Sequence, residues 1–317
     1  MKNEIVLAIM QLKGISRKTI FKSFLLKPDM ECTMNCIKEA IDKAMIENKK
    51  IKSYSELQIN EAIQKANGII QECAKNNINI ITFLDDDYPY RLKSISDPPV
   101  ILYYKGDIKC LSKSNSVAII GSREPTEYGM RIAKSLGASF GKRDYVVVSG
   151  LAIGCDACGH EGCLDENGKT VAVMAGGLDK IYPAKNERLA QRILDSGGCL
   201  ISEYPPYTSA LKSYFVERDR LQSGLSDGVL VVETAEKGGT LHTVRYAIEY
   251  NRHLACYNHP PEYLAEEKTF GNQKLIKEGK AMAVSNEDEL GEFRKKMEKK
   301  EQQVIETQGT IFDFMNT

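Results

Sequence analysis

The chain lacks a net charge, because its 43 basic residues are matched by 43 acidic ones. That excludes a protein coated in positive charge, although a local basic groove can still hold nucleic acid. It lacks any apolar run of membrane-spanning length. Its opening, MKNEIVLAIMQLKG, is too short and too charged for a secretory signal, so a cytoplasmic location with no membrane partner is expected. A disulfide framework is missing as well. Nine cysteines, an odd number at irregular spacing, read as free thiols. No internal repeat of solenoid period runs through the 317 residues, a length with room for two domains and a sizeable core.

What is present divides into three parts. Residues 1–78 read as helical: IVLAIMQL and RKTIFKSFLL carry apolar residues at helical spacing, and so does ELQINEAIQKANGIIQECAKN. Between the first two, Gly14 suits a tight turn and Ser16 is placed to cap the second helix. From 79 to 285 the pattern changes to short apolar runs rich in β-branched residues: INIITFL, SVAIIG, YVVVSG, TVAVMAG, CLISE, GVLVVE and HLACYN. Most are apolar throughout and are separated by helical stretches. That pattern predicts α/β architecture, with a mostly parallel sheet buried on both faces and flanked by helices. Residues 286–317 read as a highly charged helix followed by a short tail.

Small residues gather where several runs end. Gly121-Ser122-Arg123 follows one, Ser149-Gly150 another and Gly176-Gly177 a third, while Glu236-Lys237-Gly238-Gly239-Thr240 follows GVLVVE. In an open α/β sheet that edge is where ligands bind. Arg123, on a strand-end turn, can offer a phosphate two donors; its alternative is a surface salt bridge. Gly238, Gly239 and Thr240 open a helix, whose N-terminal amides favour an anion.

The stretch SGLAIGCDACGHEGC, residues 149–163, admits three readings. As a zinc site it is poor, because Cys155, Cys158 and Cys163 share one side of a helix while His160 points elsewhere. Packing of small side chains on the sheet is the expectation, with metal binding and redox chemistry as the alternatives. The turn that precedes the helix suits a phosphate, since Gly150 and Gly154 let backbone approach closely. Asp156 and His160 lie four apart and can face each other, as a structural pair or as ligand contacts.

Taken together, DDDYPYRLKSISDPPVILYYKG, SVAIIGSREPTEYG, VVSGLAIGCDACGHEGCL, TVAVMAGGLDKIYPAKN, LISEYPP, FVERDRLQSGLSDGVLVVETAEKGGTL and GNQKLIKEG resemble the DNA-processing protein A family (DprA, also called Smf). They keep order and spacing over about residues 80–280, and the helical start resembles the small domain of sterile-alpha-motif or helix-hairpin-helix type that many members carry. The resemblance implies an extended Rossmann-like fold. It implies a homodimeric, non-enzymatic protein without cofactor or metal that binds single-stranded DNA and delivers it to the RecA recombinase during DNA uptake and recombination. The DNA pocket it implies maps onto Gly121, Ser122, Arg123, Ser149, Gly150, Gly154, Arg218, Arg220, Lys237, Gly238, Gly239 and Thr240. Tyr128, Tyr204, Tyr207 and Tyr214 are either base-stacking faces or packing residues.

The chain departs from the family pattern in places. Phe215-Val216 stands where Phe-Pro is usual, and Ile153 where a polar residue is frequent. Cys155-Asp156 replaces Ile-Asp. Asp219 brings a negative charge where a neutral amide is typical; near a phosphate it repels unless paired with an arginine. Weaker DNA affinity, or a different ligand, is the corresponding expectation.

A second functional class competes. EKGGT resembles the turn of phosphoribohydrolase relatives of the same fold, which predicts a nucleotide-binding sensor or enzyme. The chain lacks their proline, their second glycine step and a carboxylate three residues after the threonine; His242 stands in that neighbourhood. Release of free base from nucleoside monophosphates would mark this class.

In the tail, Gln308, Ile311 and Phe312 resemble a sliding-clamp docking peptide, the alternative being a tail folded back on its own domain. Deletion of residues 307–317 is expected to abolish co-purification with the clamp, and unchanged binding would remove the clamp from the partners.

Overall fold

Ser55 shows how local chemistry starts an element. Its hydroxyl accepts from the Gln58 amide while Gln58 accepts from the Ser55 amide, a reciprocal cap that opens a 20-residue helix. Ser16 likewise accepts from the Thr19 amide at the start of the second helix. The computed structural model describes residues 2–24, 34–49, 51–113 and 115–298. The clamp-like residues Gln308, Ile311 and Phe312 lie outside the described residues.

Four helices come first: α1 (Lys2–Met10), α2 (Arg17–Phe24), α3 (Met34–Glu47) and α4 (Glu56–Lys75). The chain then alternates β1 (Asn79–Thr82), α5 (Tyr90–Lys93), β2 (Ile101–Gly106), α6 (Cys110–Lys113), β3 (Ser116–Ile120), α7 (Glu127–Gly141), β4 (Val146–Ser149), α8 (Cys155–Asp165), β5 (Thr170–Met174), α9 (Glu187–Asp195) and β6 (Cys199–Ser202). It continues through α10 (Lys212–Gly224), β7 (Gly228–Val231), α11 (Leu241–Glu249), β8 (His253–Tyr257), α12 (Phe270–Lys277) and β9 (Met282–Val284). A last helix, α13, spans 287–298.

The strands form one nine-stranded sheet in the order β1-β2-β6-β5-β4-β3-β7-β8-β9. From β6 to β9 neighbours are parallel; β2 runs antiparallel to β6, and β1 antiparallel to β2. Every residue of β3, β4, β5, β6 and β7 is buried, as strands covered on both faces must be. This is the extended Rossmann-like architecture that the motifs imply. Two strands lack a clear signal in the sequence: β2, ILYYKG, ends in polar and small residues, and β9 has three residues, too few to show a period.

The helical start does not stand apart from the sheet. Ile5, Leu7 and Ile9 share one hydrophobic cluster with Ile101, Val171 and Ile201. Among the described residues, no helix is long and apolar enough to cross a membrane.

The order of strands matters most between β3 and β7. From β3 the chain lays β4, β5 and β6 successively on one side, then returns to add β7, β8 and β9 on the other. The loops leaving the carboxyl ends of β3 and β7 therefore diverge, and a crevice opens between them.

The helix that follows β4 explains the cysteine-rich stretch. Cys155 and Cys163 are buried in a core cluster with Val117, Ile119 and Phe140. Burial pushes the Cys163 thiol up to about 12 and raises Cys155 well above its ordinary value, which keeps both from acting as thiolates. A Cβ on Gly137 of α7 would lie 2.1 Å from the Gly159 carbonyl, so the two helices meet at backbone distance. Asp156 and His160, which the spacing allowed to face each other, bond other partners. Asp156 accepts from the Gly150 amide, whereas His160 Nδ1 bonds the Thr170 hydroxyl. Among the described residues no group of three or more His, Cys, Asp or Glu is placed to hold a metal ion.

Burial holds His160 down to about 3, so the folded protein keeps this ring neutral while the unfolded chain takes up a proton near 6.5. The stabilisation is complete above that value and is lost as pH falls toward 3. Thermal melts at pH 7 and pH 4.5 should show a loss of about 2 kcal/mol from this ring, absent in His160→Asn.

Candidate nucleic-acid interface

The crevice between β3 and β7 holds a cleft of about 420 Å³. One wall is the turn after β3, with Gly121, Ser122 and Arg123. Opposite it are Phe215, Arg218, Asp219 and Gln222 of α10. The loop after β7 closes it with Thr234, Gly238, Gly239 and Thr240, and Lys268 reaches it from the segment before α12.

The turn after β3 is held from both ends by one residue. The Ser122 amide donates to the Glu233 carbonyl at 2.8 Å. The Glu233 carboxylate accepts from the Thr126 amide at 2.8 Å and the Thr126 hydroxyl at 2.6 Å, which fixes the start of α7. His259 Nε2 lies 3.5 Å from the same carboxylate, and both groups are buried. Desolvation alone would raise Glu233, but the His259 and Thr126 contacts outweigh it and hold the carboxyl below its ordinary value. With its base so anchored, Arg123 stands exposed at the cleft mouth, its guanidinium 4.9 Å from the centre of the Phe215 ring.

Arg218 is the buried cation of the site. Its Nη1 donates to the Val173 carbonyl at 3.1 Å, and the side chain is 5% exposed. It lies across Gly150, where a Cβ would come within 1.3 Å of Nη1. Asp219 Oδ1 is 3.2 Å from Arg218 Nε, yet Nε makes no aligned hydrogen bond. Asp156 Oδ2 accepts from the amides of Gly150 at 3.0 Å and Ala152 at 3.4 Å. Between them Leu151 adopts φ 57°, left-handed backbone that a side-chain-bearing residue takes up only when its surroundings demand it. Burial raises both carboxyls, Asp219 to about 6, while Arg218 pulls each of them down.

Not every residue of the expected pocket reaches the cleft. Gly121, Ser122, Arg123, Arg218, Gly238, Gly239 and Thr240 line it. Gly150 stands behind Arg218 and shapes it indirectly. Ser149 is fully buried and donates to the Ile119 carbonyl. Gly154, at φ 85°, supports the turn from below, close to the Ser122 and Arg123 carbonyls. Lys237 is exposed and is not part of the lining.

Arg220 is turned away altogether. Two residues on from Arg218, it sits about 200° around the helix. There it binds Glu203 at 2.5 Å and the Asp97 carbonyl at 2.9 Å, and Glu203 also holds Arg17 of α2 at 3.0 Å. It ties the helical start to the sheet instead of facing the cleft.

Tyr128, Tyr204 and Tyr214 are stacked on other rings, and Tyr207 is exposed. Tyr128 stacks on Tyr263 with ring centres 4.1 Å apart, and Tyr204 stacks on Tyr214 at 4.1 Å. The Tyr207 hydroxyl donates to Glu72 at 3.0 Å. The ring that does line the cleft is Phe215, with Arg123 and Arg218 both near it and Tyr182 at 5.8 Å. Neither Phe215 nor Lys268 carries a motif of its own in the sequence. The signal for Lys268 is its place just before GNQKLIKEG, where the Gly271 amide bonds the Thr234 carbonyl and brings the segment back to the end of β7.

Gly150→Ala is expected to displace Arg218 and lower stability by about 1–3 kcal/mol in thermal unfolding. Gly239→Ala, with nothing within 4 Å of the added methyl, should be close to neutral.

Comparison with known proteins gives a consistent result. The family model "DNA recombination-mediator protein A" matches residues 79–295. "DNA processing protein DprA" of Bacillus subtilis is 37% identical over 231 residues, 73% of this chain and 76% of that protein. The crystal structure of DNA processing protein A from Streptococcus pneumoniae is similar with a TM-score of 0.75 and 28% identity, over 92% of this chain and 97% of that one. A structure of DNA processing protein A from Helicobacter pylori, described for its single-stranded DNA binding mode, has a TM-score of 0.61 and 29% identity, over 70% of this chain and 96% of that one.

Proposed function

The chain belongs to the DNA recombination-mediator protein A family, and from that premise we propose that it binds single-stranded DNA in the cleft between β3 and β7. The observation that carries this reading is the convergence there of Arg123, Arg218 and Lys268 with the N-terminus of α11. Three cations and the positive end of a helix dipole offer a phosphodiester chain what it needs.

Phe215 adds the element that favours an unpaired strand. Its ring lines the cleft between two guanidinium groups, and a splayed base can stack on it, whereas the bases of a duplex are already stacked on one another. Arg123 at the mouth makes first contact with the backbone, and Arg218 at the floor receives a phosphate that enters fully. The protein acts as a binding module, without cofactor, in the DNA-processing role of its relatives. Delivery of the bound strand to the RecA recombinase, by a cytoplasmic homodimer, completes the reading; the family's description as a recombination mediator supports it.

Gel shifts with oligonucleotides test the cleft. Single strands should bind in preference to duplex, and Arg123→Ala should weaken binding about ten- to a hundredfold, the worth of a charge-assisted contact. The logarithm of affinity should fall with the logarithm of salt concentration with a slope on the order of −2, as expected for three phosphate contacts. An affinity indifferent to salt and to Arg123 would rule the cleft out.

A further inference from the structure

Asp219 gives the cleft a property that its cations alone would not. Its carboxylate lines the floor, 14% exposed, with Oδ1 3.2 Å from Arg218 Nε. It is therefore the anion already in place beside the cation that a phosphate would approach. Asp156, on α8, lines the same floor. One buried guanidinium thus faces two carboxylates, and a phosphate entering with both ionised would put three negative groups around it.

The two carboxylates are not equivalent. Asp156 accepts two backbone amides, Gly150 and Ala152, which favour its charged form against the opposing effect of burial. Asp219 has the Gln222 side-chain amide at 3.2 Å and the misaligned Arg218 Nε. Of the two, Asp219 is the group that gives up its charge at lower cost. The other charged and titratable groups facing it across the cleft are Arg123 on the turn after β3, His242 on α11 and Lys268 before α12.

We propose that Asp219 is an internal counter-anion that competes with DNA phosphate for Arg218, and that a proton from solvent neutralises it as the phosphate enters, so that this chain holds single-stranded DNA more tightly in mildly acidic solution. Arg218 keeps its own proton throughout; the charge lost on Asp219 is replaced by that of the phosphate. The inference rests on the reading that a phosphate reaches Arg218. Burial already sets the free carboxyl at about 6, so the proton is taken up within the range where the protein can be studied folded. The sign follows: binding is strongest below pH 6 and weakens as pH rises through neutrality, because the proton is then harder to supply.

The test uses the full chain and labelled oligo(dT), whose phosphodiesters and bases do not titrate between pH 5.5 and 8. Fluorescence anisotropy at constant ionic strength is measured for wild type, Asp219→Asn, Arg123→Ala and His242→Gln. Wild-type affinity should rise about tenfold or more from pH 7.5 to 5.5. Asp219→Asn should bind at pH 7.5 as tightly as wild type does at pH 5.5, with a nearly flat profile. Asparagine keeps the oxygen that Gln222 bonds, and a thermal melt confirms that the variant is folded. Titration calorimetry in two buffers of different ionisation enthalpy should show proton uptake at pH 7 in wild type and none in Asp219→Asn.

Equal pH slopes in wild type and Asp219→Asn overturn the proposal, as does a dependence abolished by His242→Gln and kept by Asp219→Asn. Arg123→Ala separates the two levels. If it weakens binding at every pH, the cleft stands whatever Asp219 does. If it binds like wild type, the cleft reading fails and the role of Asp219 falls with it.

Discussion

A guanidinium laid across a glycine is the contact on which this site turns. Arg218 occupies the space where residue 150 would carry its side chain. From there it reaches the Val173 carbonyl near the end of β5 while remaining at the cleft floor. Burying a cation is costly unless it is paired; here Asp219 lies 3.2 Å away and Asp156 adds a longer-range attraction. Each carboxyl is itself raised by burial and lowered by the arginine, and Asp156 raises Asp219 further, so the arginine favours both negative charges while the two carboxylates oppose each other. The left-handed Leu151 and the amides that Asp156 collects belong to the same turn, which carries β4 into α8 beneath Arg218.

The rest of the cleft follows from the sheet. Parallel strands need long crossovers, and reversing the direction in which they are added between β3 and β7 separates two loops that would otherwise pack together. Glu233 then keeps that opening defined. Its carbonyl and carboxylate together hold Ser122 and Thr126, so the turn bearing Arg123 is tethered before and after the arginine. Asn272 does similar work below: its amide group bonds the carbonyls of Val231, Val232 and Tyr257 and accepts from the Thr234 amide, joining β7, β8 and the start of α12. Lys268 enters the cleft on a segment placed by those bonds. The cations are thus carried on rigid corners, and little ordering remains to be done when a ligand arrives.

Some of this was legible in the residues and some was not, for identifiable reasons. Unbroken β-branched runs marked the central strands because burial on both faces removes any need for polar alternation. The short edge strand β9 and the polar-ended β2 gave no such signal. Arg123, Gly121 and the Gly238-Gly239-Thr240 turn were legible because glycine-bearing strand ends have few other uses. Arg218 and Arg220 looked alike in FVERDR, but helical geometry sends alternate residues to opposite sides, and one of them became the cleft floor while the other became a tether for α2. The pairing of Asp156 with His160 followed from helical spacing, yet Gly150 and Thr170 offered each of them a better partner. The tyrosines admitted stacking or packing, and Tyr128, Tyr204 and Tyr214 pack on tertiary neighbours.

What the amino-acid order determined by itself was the class of fold, the edge of the sheet where small residues collect, and the family whose motifs fall there in register. These are properties of local pattern: backbone freedom at glycine, the period of apolar residues, and the restricted set of turns that can join a strand to a helix. What only the tertiary structure decided was which charges meet. The reach of Lys268, the burial of Arg218 against Gly150, and the 3.2 Å between Asp219 and that arginine all join residues whose relation to each other is set by packing. The strength of a charge depends on what has been excluded around it, and exclusion of water is a property of the folded whole.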